Sequence, residues 1–108
     1  MATEERRELG ILYVLGVPLH VILDPDPTVD GEKCQGIWAD DEASLIVRTS
    51  GPDRVLILFH EVCHAATDLL SLPKDWQNDE ETRSSVFSVL VTGIMRDPRN
   101  RRVLRKLE

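Results

Sequence analysis

The sequence predicts an α+β fold, in which a small antiparallel three-stranded sheet packs on two long helices. Short stretches rich in β-branched residues, separated by turn residues, occupy the first half of the chain. Two long stretches with helical periodicity occupy the second half. Because the chain has 108 residues, we expect a single domain, residues 1–108, without a separate substrate domain.

The first half of the chain predicts one helix followed by three strands. Thr3 can cap a short N-terminal helix that runs toward Leu15, and Gly16 ends that helix. A loop rich in Asp and Pro follows the first strand, and an acidic turn joins the other two strands. The predicted strands are residues 17–23, 33–39 and 43–49, and the acidic turn is residues 40–42.

The second half of the chain predicts two long helices and a short one. The first helix is expected at residues 52–70, because Pro52 suits a first turn and a Ser-Leu-Pro sequence follows Leu70. The second helix is expected at residues 78–96, where acidic residues favour the positive helix end. The basic tail, residues 99–108, is expected to form a short helix docked by its leucines.

The net charge of −6 limits the class of protein. Because affinity for phosphate depends on clustered Lys and Arg, this charge disfavours nucleic-acid binding as the main role. The chain has no run of about 20 apolar residues, so no membrane span is expected. Its charged N-terminus is unlike a secretory signal, and we expect a cytoplasmic protein in which Cys34 and Cys63 are reduced.

Residues 60–64 read His-Glu-x-x-His, a short signature of zinc hydrolases. On a helix, residues i and i+4 lie one turn apart on the same face, so His60 and His64 can bind one metal ion. Glu61 can then take a proton from a zinc-bound water. Apolar residues on both sides of the motif exclude bulk water and strengthen the electrostatic interactions of the metal. Cys63 is expected to be a small buried residue rather than a ligand.

Catalytic zinc sites usually have three protein ligands, so a third must come from outside the motif. The candidates are Glu80 and Glu81 on the second helix, provided that this helix crosses the first. Helical geometry places Glu80 about 60° from the middle of the apolar stripe and Glu81 about 160° from it. Glu80 is the predicted ligand, and Glu81 is the alternative because helix register is uncertain near a helix start. Asp68 suits a hydrogen bond from an imidazole N–H better than metal ligation, and a solvated helix residue is an equal alternative.

Residues 58–65, together with 79–82 and the apolar helix that follows, resemble the small zincin-like metallopeptidases found in bacteriophage and prophage genomes. More distantly, the chain is similar to the gluzincins, including ImmA/IrrE-type peptidases, whose third ligand is a glutamate on the following helix. The resemblance implies a minimal zincin-like fold in which His60, His64 and Glu80 hold Zn²⁺. A phage-encoded protein of this kind would act in the host cytoplasm.

The motif and the resemblance predict a zinc metallopeptidase, in which Glu61 is the general base for hydrolysis of a peptide or protein substrate. An extended substrate is expected to add to a sheet edge near residues 36–38. Tyr13 and His20 are candidate oxyanion donors. The alternative is a non-catalytic zincin-like module, which binds a host or phage protein and uses its metal structurally. Nucleic-acid binding through the basic tail is disfavoured by the acidic total.

Overall fold

The structure, a computed structural model, describes residues 5–51 and 53–108. Its strands are, in chain order, β1 (Arg7–Val14), β2 (Val17–Asp24), β3 (Thr28–Val29), β4 (Glu32–Lys33), β5 (Gly36–Ala39) and β6 (Ser44–Arg48). Its helices are α1 (Arg54–Leu69), α2 (Glu80–Arg96) and α3 (Arg101–Leu107). Short 3-10 turns lie at Asp40–Glu42, Trp76–Asn78 and Pro98–Asn100.

Four strands form a mixed sheet in the order β1, β2, β6, β5, and β3 pairs with β4 in a separate hairpin. The β1–β2 and β5–β6 pairs are antiparallel, whereas β2 and β6 are parallel. The prediction of an antiparallel three-stranded sheet is therefore wrong in strand number and in the direction of one pair. After β2 the chain forms the hairpin and then β5, and it returns as β6 between β2 and β5. This path makes the central pair parallel and leaves β5 at an edge of the sheet.

The predicted N-terminal helix is wrong, because residues 7–14 form β1. Leu9 and Leu12 are both buried, and their separation by three residues imitates helical periodicity. A β-bulge between Glu8 and Gly10 produces this separation, since β1 has one residue more than β2 over that stretch. The proposed cap, Thr3, lies outside the described residues.

Helix α1 packs on β5 and β6 and supplies the centre of the hydrophobic core. Its buried side chains are Leu58, Glu61, Val62, Cys63, Ala65 and Ala66. The Asp53 carboxylate caps the helix, because it accepts hydrogen bonds from the backbone N–H groups of Val55 and Leu56 at 3.0 and 3.2 Å. The predicted helix at residues 52–70 is confirmed to within two residues at each end, and Pro52 itself lies outside the described residues.

Helices α2 and α3 both contact β1. Leu90 and Ile94 are the buried residues of α2, whose other main contacts are with the 3-10 turns at its two ends. α3 is docked by Val103 and Leu107, so the predicted short C-terminal helix is confirmed. Within residues 5–51 and 53–108, no helix is long and apolar enough to cross a membrane.

The side chain of Asn100 joins three of these elements and has no exposed surface. The backbone N–H of Tyr13 donates to Asn100 Oδ1 at 2.7 Å. Asn100 Nδ2 donates to the carbonyl oxygens of Tyr13 and Ile94 at 3.0 and 3.1 Å. Asn100 therefore fastens the end of β1 and the last turns of α2 to the start of α3.

Candidate metal and active site

His60 and His64 lie one turn apart on α1, and both side chains are exposed. Their ring centroids are 5.0 Å apart and their ring planes are inclined by 78°. Leu58 and Val62, on the opposite side of the helix, are fully buried in the core. Packing of that apolar side thus fixes the rotation of α1 and presents the two imidazoles together at the surface.

Glu61 lies between the two histidines in sequence but is turned toward the sheet, with only 6% of its surface exposed. Its carboxylate packs against the backbone of β5 at Gly36. Burial raises the pKa of the Glu61 carboxyl, and this effect outweighs the opposing influence of His60 and His64. A carboxylate with a raised pKa is a better proton acceptor, which is the property that a general base requires.

A cavity of about 520 Å³ lies between β5 and α1. This volume falls within the range of about 300–1,000 Å³ that is usual for ligand sites. The residues around it are Val29 and Gly36–Trp38 from the strands, Glu61, His64, Thr67 and Asp68 from α1, and Lys74 and Gln77 from the segment after it. The general-base candidate and one histidine therefore face a cavity whose other wall is an edge strand.

Two indole hydrogen bonds fix the walls of this cavity. Trp38 Nε1 donates to Asp68 Oδ2 at 2.7 Å, which ties β5 to the last turn of α1. Trp76 Nε1 donates to Thr67 Oγ1 at 2.7 Å, which holds the segment between α1 and α2 against α1. Asp68 thus accepts a hydrogen bond from an indole, whereas the sequence left open an imidazole donor or a solvated side chain.

In the described ranges 5–51 and 53–108, no three His, Cys, Asp or Glu side chains come together as a set that could hold one metal ion. Glu80 and Glu81 are the first two residues of α2, where both are exposed, and neither lines the cavity. Glu80 and Glu81 lie away from the cavity because α2 packs chiefly on β1 and on the 3-10 turns at its two ends. The structure therefore does not bring Glu80 to His60 and His64, and its role as third ligand stays a prediction.

The two candidate oxyanion donors lie away from the cavity. His20, on β2, pairs with Glu8 across the β1–β2 ladder. The Tyr13 ring, on β1, lies 3.7 Å from the guanidinium of Arg99. Neither residue lines the cavity, so the structure offers no support for an oxyanion role for either.

Cys63 is buried inside the motif, as the sequence predicts for a small core residue. Burial, and secondarily the charge of Glu61, raise the pKa of the Cys63 thiol to about 11. Only about one Cys63 thiol in a thousand is then ionised at pH 8, and the thiolate is the reactive form. Cys34 is half-buried and lies outside α1.

We expect iodoacetamide at pH 8 to modify Cys34 at least about tenfold faster than Cys63, because of the raised pKa and the burial of Cys63. Mass spectrometry of peptides from a time course measures both rates in one sample. Both thiols should react at similar rates in guanidinium chloride. Equal rates in the native protein would contradict the buried position of Cys63.

Four residues that line the cavity were not predicted from the sequence, namely Val29, Thr67, Lys74 and Gln77. Thr67 lies one turn after His64 on α1, so its helical spacing was the available signal. Lys74 and Gln77 reach the cavity because Trp76, between them, is anchored on α1. No local pattern around Lys74 and Gln77 predicts this position, because the hydrogen bond from Trp76 to Thr67 is a tertiary contact.

Comparison of the chain with protein-family models, with curated proteins and with solved structures found no match. The resemblance to zincin-like peptidases therefore rests on the residues of the motif and of the start of α2.

Proposed function

We propose that this protein is a zinc-dependent peptidase in which Glu61 is the general base. The position of Glu61 carries the proposal. Its carboxylate is buried against an edge strand, borders a cavity and is adjacent to a pair of exposed imidazoles. A structural metal site needs no buried carboxylate beside its ligands, whereas hydrolysis by an activated water does.

The chemistry of the histidine pair fits Zn²⁺, for which imidazole is a favoured ligand. His60 and His64 would hold the ion, and Glu80 is the proposed third ligand, which requires the first turn of α2 to approach α1. When bound, zinc supplies Lewis acidity that polarises the substrate carbonyl and makes a nearby water more acidic.

Glu61 moves the proton in the proposed reaction. Its carboxylate accepts a proton from the attacking water and then gives that proton to the nitrogen of the leaving amine. The buried position of Glu61 beside the cavity places its carboxylate where it can hold the proton between the two steps. Val29 and Trp38 contribute apolar surface to the cavity in which this proton transfer would take place.

The edge strand β5 supports a peptide as the substrate. Among the strands of the described residues none neighbours its outer side, and Gly36–Trp38 lie along the cavity. An extended peptide can form backbone hydrogen bonds with such an edge and place alternate side chains in adjacent pockets. A peptide hydroxamate soaked into crystals should bind along β5, and binding elsewhere would remove this part of the proposal.

The function is tested with the wild-type protein and a defined mixture of synthetic peptides. We expect mass spectrometry to detect new peptide termini when zinc is present. A chelator added before the peptides should prevent their formation. Restoration by added zinc separates metal dependence from damage by the chelator. Absence of cleavage by the zinc-loaded protein across a broad mixture would count against a peptidase.

A non-catalytic binding module is the second candidate. The exposure of both imidazoles favours it, since a catalytic site usually excludes bulk water around the metal. This candidate predicts no cleavage under any metal condition and equal partner binding by the wild type and by Glu61→Gln.

A further inference from the structure

Gly36, the first residue of β5, lies directly beneath the Glu61 side chain. A β-carbon placed on Gly36 would lie 2.9 Å from Glu61 Oε2 and 3.0 Å from Glu61 Cγ. It would also lie 2.8 Å from Ile57 Cγ2, one turn earlier on α1. Non-bonded carbon atoms prefer separations of about 3.5–4.0 Å, so any side chain at position 36 would have to displace something.

Glycine is required at position 36 by the lack of space for a side chain and not by the backbone conformation. Gly36 is absent from the residues with positive φ, so its backbone is one that any amino acid can adopt. Glycine in a strand is otherwise unfavourable, since it weakens the strand and has no side chain to pack. The close approach of α1 is therefore the reason that the structure gives for glycine here.

The strand cannot readily move away to make room for a side chain. Gly36 pairs with Val47 in the β5–β6 ladder. Just before it, the carbonyl of Gln35 accepts a hydrogen bond from the N–H of Arg48 at 2.9 Å. Two residues after it, the Trp38 indole donates a hydrogen bond to Asp68 of α1. A β-carbon on residue 36 would consequently shift the side chains above it, and the Glu61 carboxylate is one of the two groups in its path.

We propose that Gly36 is a positioning residue for Glu61, because its missing side chain leaves the space that the carboxylate occupies. The catalytic consequence of this inference rests on the proposed function. The steric contact between position 36 and Glu61 does not depend on that function. Misplacement of a reacting group by about 1 Å can cost about 100-fold in rate. Gly36→Ala would thus impair the proton transfer without touching either imidazole.

The steric relation is tested by a double-mutant cycle on thermal unfolding. We expect Gly36→Ala to lower Tm by about 5–10 °C in the wild-type background. In the Glu61→Ala background the carboxylate is gone, and we expect the same change to cost less than half of that shift. Gly93→Ala is the matched control, because a β-carbon there meets no atom of the described residues within 4 Å beyond the backbone of its own helix. That control should leave Tm unchanged or raise it.

An equal cost of Gly36→Ala in both backgrounds would overturn the proposal, because Ile57 alone would then be the obstacle. If Gly36→Ala does not fold, recovery of folding by Glu61→Ala supports the proposal, and failure of the double variant to fold overturns it. These outcomes do not depend on whether the protein is an enzyme.

The catalytic consequence is measured with whichever peptide the wild type cleaves. We expect Gly36→Ala to lower kcat by about 10- to 100-fold, with KM changed by less than about twofold and the zinc content unchanged. A purely structural role would lower the amount of folded protein but leave kcat per folded molecule at the wild-type value, so kcat is calculated from the folded concentration. A wild-type kcat in folded Gly36→Ala would overturn the positioning role. A wild type that cleaves nothing would instead count against the proposed function, and the unfolding cycle would still decide whether Gly36 positions Glu61.

Discussion

Glu61→Gln is expected to reduce peptide hydrolysis by about 10²–10⁴-fold and to leave the metal content unchanged. Glutamine has nearly the same size as glutamate, so it fills the same buried space beside Gly36. It cannot accept the proton of the attacking water, and loss of a general base typically costs about 10²–10⁴-fold in rate. Initial rates on a cleaved peptide, with zinc measured on the same preparations, give both quantities.

Glu42→Gln is the matched control for this substitution, because Glu42 is exposed on a turn and does not line the cavity. It should retain the wild-type rate. A Glu61→Gln protein that hydrolyses peptides at the wild-type rate would contradict the role of Glu61. Zinc binding without hydrolysis by the wild type would favour the binding module.

Asn100→Ala is expected to destabilise the fold by about 3 kcal/mol, a large effect for a single substitution. The change removes three hydrogen bonds and leaves the N–H of Tyr13 without its partner in a partly buried region. An unsatisfied buried polar group costs about 1–3 kcal/mol, and the total stability of a small domain is only about 5–15 kcal/mol. Urea unfolding followed by circular dichroism measures the change.

The control for Asn100→Ala is Asn78→Ala, since Asn78 is exposed at the end of a 3-10 turn. We expect this control to change stability by less than about 0.5 kcal/mol. A similarly small effect of Asn100→Ala would show that β1, α2 and α3 do not depend on this side chain for their connection.

The helices could be predicted from the sequence because their signals are local. Asp53 and Asp79 each cap a helix, and the apolar periodicity that follows gives the length of α1 and α2. The strand order could not be predicted in this way. Placement of β6 between β2 and β5 depends on contacts far apart in the chain. The bulge at Glu8–Gly10 changed the spacing of buried residues in β1 from a strand pattern to one that looks helical.

The same distinction applies to the candidate site. The spacing of His60 and His64 is a property of one helix, so their proximity could be predicted. A ligand from α2 depends on how α2 packs against α1. Only Leu90 and Ile94 of α2 are fully buried, and Val86 packs partly against the core. This apolar stripe does not indicate the direction in which α2 crosses α1. The Trp38–Asp68 hydrogen bond joins residues 30 positions apart, which no local pattern reveals.

The most direct test of the central claim is the zinc content of untagged protein purified without chelator, measured by elemental mass spectrometry. We predict about one zinc per chain in the wild type, lost in His60→Ala and in His64→Ala. His20→Ala should retain the zinc, because His20 pairs with Glu8 outside the site. Parallel measurements of Glu80→Ala and Glu81→Ala identify the third ligand as the variant that loses the metal. No bound zinc in the wild type, even after zinc is added, would contradict a metal site at these histidines and the peptidase mechanism with it.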